Sequence, residues 1–336
     1  MTSYILVWLQ LGGCALVICL AGPFLVHYAE RISASTGLSQ SWIGLFLLAT
    51  ATSLPELVTG ISSVAAAAAP NIAVGDALGS CVYNLLLLVL LDAFTRDESV
   101  YGRIDQRHIL TAGFGVVMLA LVGMLVLVAR DDLDLRFYHV SIYTPLLIVL
   151  YFVAMRAAFF YDKKLAIMSD GPPWEPDGSL GKAIRGYAIA AAVVVIIGIW
   201  LPFIGQQIAE IMSWKTSFVG TLFIAGTTSL PELVVIITAM RLGRIDMAIA
   251  GLLGSNLFDI LIIAIDDIAY VDGSIYAAAS PVHAVSALAA VMMSGIFTVA
   301  LLYRPGNRFF GIIGWVSIAL ITVFLLSSYI LYLQGV

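Results

Sequence analysis

A short phrase rich in oxygen ligands occurs twice in this chain. Residues 50–56 read Thr-Ala-Thr-Ser-Leu-Pro-Glu, and residues 226–232 read Gly-Thr-Thr-Ser-Leu-Pro-Glu. Both copies lie inside strongly apolar stretches, where a charged side chain near a bilayer centre costs about 2.5–3.5 kcal/mol on insertion scales. Pro55 and Pro231 lack an N–H, and their rings push away the carbonyls four residues back, at Ala51 and Thr227. Glu56 and Glu232, the hydroxyls of Thr52, Ser53, Thr228 and Ser229, and the freed carbonyls form a set of hard oxygen donors. Such a set suits Ca²⁺, Mg²⁺ or Na⁺ and not Zn²⁺ or Cu²⁺.

Each phrase is followed by a second polar block, Gly79-Ser80-Cys81-Val82-Tyr83-Asn84 and Gly254-Ser255-Asn256-Leu257-Phe258-Asp259. The offset between copies is 176 residues for the first block and 175 for the second, the mark of an internal repeat. Ser53 and Glu56, like Ser229 and Glu232, are three apart; Ser80 and Asn84, like Ser255 and Asp259, are four apart. At these spacings each pair shares one helix face. Small residues (Ala49, Ala51, Gly60, Gly75, Gly79, Gly226, Gly251 and Gly254) allow the helices to pack closely and bring those faces together. The converging set holds three carboxylates, Glu56, Glu232 and Asp259, with Asn84 as a neutral amide. Three like charges share a dry site only with cations or protons present, and competition of cations for that charge is the simplest physical basis of antiport.

The elements that must position these groups are membrane helices. Of 336 residues, 61% are hydrophobic and 11% charged, with a mean hydropathy of +1.04; a soluble protein is excluded and a polytopic membrane protein expected. No basic run interleaved with aromatics points to nucleic acid, and no cleavable signal peptide is evident. Cys14, Cys19 and Cys81 are read as buried free thiols. Ten apolar stretches are expected as spans, at 4–27, 40–64, 72–94, 108–129, 139–161, 183–211, 217–240, 246–270, 279–303 and 309–333. The expectation is an all-α integral membrane protein of ten transmembrane helices in two inverted five-helix repeats, 1–161 and 183–336, joined by a linker at 162–182.

The charges set the orientation. Arg130, Arg136 and Lys215 are the only basic residues on the side of the termini, and the other thirteen of sixteen fall on the opposite side. The positive-inside rule then puts both termini outside and the linker in the cytoplasm. Five spans per half make the second copy enter the membrane upside down, the arrangement that places a substrate site at the midplane between repeats. Gly22-Pro23 in span 1 matches Leu201-Pro202 in span 6, and these long first spans are candidates for gating helices. Asp92 and Asp267 correspond under the repeat and are read as solvated helix ends, or else as the mouths of vestibules; Asp266 adjoins the second. His27, His108, His139 and His283 are read as interfacial.

The two blocks resemble the α-repeats of the cation/Ca²⁺ antiporter superfamily, and within it the Na⁺/Ca²⁺ exchanger branch, including short prokaryotic members. The resemblance is carried by Ala49 through Glu56 with Gly79, Ser80 and Asn84, and by Ala225 through Glu232 with Gly254, Ser255, Asn256 and Asp259. It implies that Glu56 and Glu232, with the carbonyls of Thr52 and Thr228, hold Ca²⁺. It further implies that Ser53, Ser80, Ser229, Ser255, the Thr52 and Thr228 hydroxyls and the carbonyls of Ala49 and Ala225 complete Na⁺ sites, with Asn84 and Asp259 at the middle position. Four positions depart from the pattern: Ala51 stands for Gly, Cys81 for Asn, and Asp76 and Gly251 where Asn is frequent. The function expected is secondary-active Ca²⁺/cation antiport by alternating access in the cell membrane, with Na⁺ the counter-ion and H⁺ or K⁺ as alternatives. No cofactor is expected, and the partners are the transported Ca²⁺ and Na⁺ and the lipid bilayer. A cation channel would use the same acids as a filter, but nothing suggests four-fold symmetry. An enzyme would need a nucleophile–base pair or a metal motif such as HExxH or GxSxG, and the chain has neither motif.

Overall fold

A computed structural model describes residues 2–36, 49–95, 100–129, 135–166, 179–241, 245–306, 308–309 and 313–335. Among them the chain is nearly all helical, as an apolar chain in lipid must be, because only a helix satisfies every backbone group within the segment itself. Besides the four-residue helices Val100–Arg103 and Ile275–Ala278, the helices are α1 (Thr2–Thr36), α2 (Ala49–Thr52), α3 (Leu54–Ala65), α4 (Pro70–Phe94), α5 (His108–Val128), α6 (Thr144–Ala166), α7 (Leu180–Met212), α8 (Thr216–Thr228), α9 (Leu230–Arg241), α10 (Ile245–Ala269), α11 (His283–Tyr303) and α12 (Trp315–Gln334). Among the described residues eight helices are long and apolar enough to cross a membrane, and the bent pair α8–α9 taken as one span makes a ninth. The expected span at 40–64 is described only from Ala49 on, and most of the linker 162–182 lies outside the described residues.

The helices α4 and α10 form the centre. Both are buried nearly all round, whereas α1, α6 and α12 turn large apolar side chains such as Leu9, Phe152 and Leu325 outward, as lipid-facing helices do. The two run antiparallel. Asn71, at the start of α4, accepts from the Ser280 amide at 2.7 Å, in the segment after α10; Asp246, at the start of α10, accepts from the Asp105 amide at 2.9 Å, in the segment after α4. Glycines let α4 lie directly on the α8 backbone: a Cβ at Gly75 would meet the Thr221 amide nitrogen at 3.0 Å, and one at Gly79 the Thr221 carbonyl oxygen at 2.5 Å. There α8 carries one π-helical turn, Gly220–Ile224, a wide turn of the kind that gathers at functional sites. The long helices α1 and α7 pack on one another and cover the two motifs crosswise, with Gly22 against Pro231 and Gly198 against Val58.

Two short antiparallel hairpins interrupt the helical pattern, Arg136–Phe137 with Val140–Ser141 and Arg308–Phe309 with Ile313–Gly314. They overturn the reading of Asp92 and Asp267 as solvated helix ends or vestibule mouths, because both carboxylates are fully buried. Asp267 accepts from the amides of Ser141 and Ile275 and from the Thr144 hydroxyl. Asp92 accepts from the Gly314 amide at 2.8 Å and the Ser317 hydroxyl at 2.7 Å. A negative charge at a helix C-terminus is disfavoured by the dipole, and here donors of the returning hairpins compensate it.

Two of the four histidines, each the first residue of its helix, are buried. His283 is fully buried with Nε2 at 3.2 Å from Asn71 Oδ1, and His108 is buried with Nε2 at 3.2 Å from Asp246 Oδ1. His139 lies at an exposed end, its Nε2 at 3.0 Å from the Ile268 carbonyl, and His27 is exposed. All three cysteines are free thiols; Cys14 and Cys81 are buried and Cys19 is part-buried.

Candidate ion-binding site

Both motifs break their helix at the serine. Ser53 (φ −86°, ψ 14°) separates α2 from α3, and Ser229 (φ −79°, ψ 10°) separates α8 from α9, where the axis bends by 41°. The prolines two residues on, which cannot donate, start the new helix. The Glu56 and Glu232 side chains then leave from the first turns of α3 and α9 into the space between α4 and α10.

The break changes which serine serves which glutamate. Ser53 and Glu56 do not pair across their shared face, and neither do Ser229 and Glu232. Ser53 Oγ donates to Glu232 Oε1 and Ser229 Oγ to Glu56 Oε1, each at 3.4 Å. The continuous helices behave as their spacing requires: Ser80 Oγ donates to Glu56 Oε1 at 3.4 Å, and Ser255 Oγ to Glu232 Oε1 at 3.3 Å. One oxygen of each glutamate is thus held by two hydroxyls, one from each half. The other oxygen, Oε2, is buried without a protein donor in both residues. At the middle, Asn84 Nδ2 donates to Asp259 Oδ2 at 3.4 Å, leaving Asp259 Oδ1 and Asn84 Oδ1 buried and without donors. Cys81 Sγ lies 3.6 Å from the Asn256 carbonyl and 4.0 Å from Asp259 Oδ2, so the residue that breaks the repeat pattern sits beside the central acid.

The threonines differ between halves. Thr228 Oγ1 donates at 2.9 Å to Asp76 Oδ1, a buried carboxylate absent from the set expected by sequence. Asp76, Ser80 and Asn84 recur every four residues on α4, so the same face rule that selects Ser80 and Asn84 selects Asp76 too. At the equivalent place α10 has Gly251; there Thr52 pairs with Ser255 Oγ at 3.2 Å, and a cavity of about 10 Å³ is lined by Thr52, Glu232, Ile236 and Gly251, about the space of one water. The Ala49 carbonyl accepts from the Ser53 amide and lies 3.2 Å from the Thr52 hydroxyl, and the Ala225 carbonyl accepts from the Ser229 amide and lies 3.1 Å from the Thr228 hydroxyl.

Glu56, Glu232, Asp259 and Asp76 are each buried to 3% exposure or less, and among the described residues none has a basic partner. No three acidic, histidine or cysteine side chains close on one point there. The charge is spread over four carboxylates, three of them held by hydroxyls and Asp259 by the Asn84 amide, which fits several weakly caged cations better than one tight metal centre.

The model of one protein family, described as sodium/calcium exchanger protein, matches residues 6–161 and 182–333. The chain belongs to that family. As a member it is a multi-spanning membrane protein of a cation/Ca²⁺ antiporter family. Among its relatives, the sodium/calcium exchanger MaX1 of Methanosarcina acetivorans is 24% identical over 275 residues, which cover 71% of this chain and 76% of the relative. The inner membrane protein YrbG of Escherichia coli is 26% identical over 250 residues, 74% of this chain and 75% of that protein. A solved structure of the sodium-calcium exchanger NCX_Mj superposes with a TM-score of 0.62, at 21% identity over 96% of this chain and 98% of its own, and shares the fold.

Proposed function

We propose that this family member exchanges Ca²⁺ for Na⁺ by alternating access, with both ions held between α3, α4, α9 and α10. The observation that carries the reading is the row of buried carboxylate oxygens without donors or basic partners: Glu56 Oε2, Glu232 Oε2, Asp259 Oδ1 and Asp76 Oδ2. An uncompensated buried carboxylate costs several kcal/mol, so the row calls for cations in the folded protein. One Ca²⁺ between Glu56 and Glu232 neutralises that pair. Na⁺ ions beside the same glutamates, ligated by Thr52, Ser53, Ser80, Thr228, Ser229, Ser255 and the Ala49 and Ala225 carbonyls, place the same charge differently. Both arrangements draw on one set of oxygens, so one excludes the other.

The reading takes residues 1–161 and 183–336 as two inverted five-helix halves, with the termini outside and the 162–182 linker in the cytoplasm. It is supported by contacts that recur in both halves, such as Asp92 with the Gly314 amide and Asp267 with the Ser141 amide. The crosswise packing of α1 and α7 on Pro231 and Val58 gives the helices that would rock between the two faces. The fourth carboxylate, Asp76, favours as a second reading an exchanger that takes H⁺ or K⁺ in place of Na⁺. In proteoliposomes loaded with Na⁺, an outward Na⁺ gradient is expected to drive radiolabelled Ca²⁺ uptake, and Glu56→Gln or Glu232→Gln to abolish it. Uptake indifferent to Na⁺ and driven by a pH or K⁺ gradient would replace the first reading with the second.

A further inference from the structure

The two halves match at the glutamates and diverge at one end of the site. Beyond Glu232, α9 continues with Val235 and Ile236; beyond Glu56, α3 has Thr59 and Gly60 in the equivalent places. Seven residues after Asp259, α10 carries Asp266; seven after Asn84, α4 carries Leu91. Asp76 on α4 answers to Gly251 on α10. Because α4 and α10 are antiparallel, Asp76 before Asn84 and Asp266 after Asp259 lie toward the same end, each about 10–12 Å of helix from the middle pair. The opposite end presents only apolar or absent side chains at the positions that answer to Thr59, Asp266 and Asp76, namely Val235, Leu91 and Gly251.

Asp266 is fully buried, and neither of its oxygens has a protein donor. It points at α3: a Cβ added to Gly60 would lie 2.5 Å from its Oδ2 and 2.7 Å from its Oδ1. The carboxylate therefore fills the side-chain space of a glycine one turn beyond Glu56. Two further buried oxygens without donors belong to the same end, Asp76 Oδ2 and Thr59 Oγ1. The Asp267 carboxylate next in sequence collects three donors, whereas Asp266 collects none. A core acid that served packing would be expected to find partners as its neighbour does.

We propose that Asp266 and Asp76, with the Thr59 hydroxyl, form an accessory site for one hard, oxygen-liganded cation of the Na⁺ or Ca²⁺ class. It lies at the end of the ion site where α4 begins and α10 ends, with no counterpart at the other end. It is a waiting position: an ion entering or leaving on that side meets two carboxylates before it reaches Glu56. The proposal rests on the reading of Glu56 and Glu232 as the transport site and extends it to one face only.

The test is equilibrium binding of radiolabelled Ca²⁺ and, separately, radiolabelled Na⁺ to the purified full-length protein in detergent. Asp266→Asn is expected to bind one cation fewer per chain than the wild type. In a Glu56→Gln/Glu232→Gln background, a residual cation-dependent rise in melting temperature is expected to persist and to vanish when Asp266→Asn is added. If Asp266→Asn is not monodisperse on gel filtration, Asp76→Asn, read the same way, decides from the α4 side. The Ca²⁺ and Na⁺ arms tell which ion is held. Unchanged stoichiometry and affinity for both ions overturn the proposal, and so does a difference confined to proton uptake on a pH dye. A Glu56→Gln/Glu232→Gln protein that keeps its full wild-type binding would sink the transport-site reading instead, whatever Asp266 does.

Discussion

Ser229 Oγ donates to Glu56 Oε1 across 173 positions of sequence, at 3.4 Å. The mirror contact, Ser53 to Glu232, has the same length. Each helix break therefore delivers its serine to the other half's glutamate while keeping its own glutamate one turn on. An ion that draws in Glu56 pulls on both broken helices at once, and neither half can open around it alone.

That coupling makes the serines testable. Ser229→Ala or Ser53→Ala removes one of two hydroxyls from a glutamate and a potential ion ligand with it. A hydrogen bond to a charged group contributes about 1.5–3 kcal/mol net at good geometry, and less at 3.4 Å. A loss of about 1 kcal/mol raises the KM for Ca²⁺ about fivefold. The double variant should fall short of the product of the single effects, because both serines act on one site. Concentration series of Ca²⁺ uptake in proteoliposomes measure this, and strictly multiplicative effects would count against a shared site.

Asp92 and Asp267 make the opposite prediction. They hold the hairpins and lie eight residues, about two helical turns, beyond Asn84 and Asp259. Asp267→Ala leaves the Ser141 and Ile275 amides and the Thr144 hydroxyl without their acceptor, at a cost of about 1–3 kcal/mol for each donor kept from water. Melting temperature in detergent is expected to drop for Asp267→Ala and Asp92→Ala, while Ca²⁺ affinity of the surviving folded protein holds. An affinity loss without a stability loss would restore the vestibule reading of these acids.

The contrast shows what the sequence makes legible. Glu56, Glu232, Asp259 and their serines are visible because the same phrase occurs twice in apolar surroundings, and the helix breaks follow from Pro55 and Pro231. Asp76 was within reach as well, since 76, 80 and 84 lie on one face, but its neutral or absent equivalents hide it from an argument built on repetition. The crossed serines were out of reach: face-sharing at three residues assumes an unbroken helix, and the break turns Ser53 and Ser229 away. Asp92 and Asp267 looked solvated because they end apolar runs. Their partners stand on the hairpins and on the first turns of neighbouring helices, which only the tertiary fold brings back.

Helix packing at the centre gives a steric prediction. Gly79→Ala would put a methyl 2.5 Å from the Thr221 carbonyl oxygen and 2.7 Å from Ala225 Cβ. Neither neighbour is the end of a flexible chain, so α4 must move off α8, at a cost of about 1–3 kcal/mol. Gly115→Ala on α5 is the control, because nothing lies within 4 Å of its added methyl, and in a helix it should be neutral or gain up to about 1 kcal/mol. Melting curves of the two variants should move in opposite directions or, for Gly115→Ala, not at all. Equal destabilisation would mean that close approach at Gly79 does not govern the pairing of α4 with α8.

The Asp246 cluster at the membrane face predicts a pH dependence. Burial alone would push its carboxyl up. The hydrogen bonds from His108 and the Asp105 amide, with the His108 and Arg107 charges, outweigh that and hold it below the usual carboxylate range. A carboxyl held below its unfolded value contributes stability above that unfolded value and loses it as the pH falls through the folded one. The side chain is 39% exposed, so solvent screening keeps the contribution under about 1 kcal/mol. Wild type should therefore melt slightly higher than Asp246→Asn near neutral pH. The gap should close only on acidification below the ordinary carboxylate range, and it should shrink in high salt. A gap that is constant down to strongly acid pH would show that Asp246 holds α10 to the segment after α4 by shape and hydrogen bonding alone, with its charge contributing nothing.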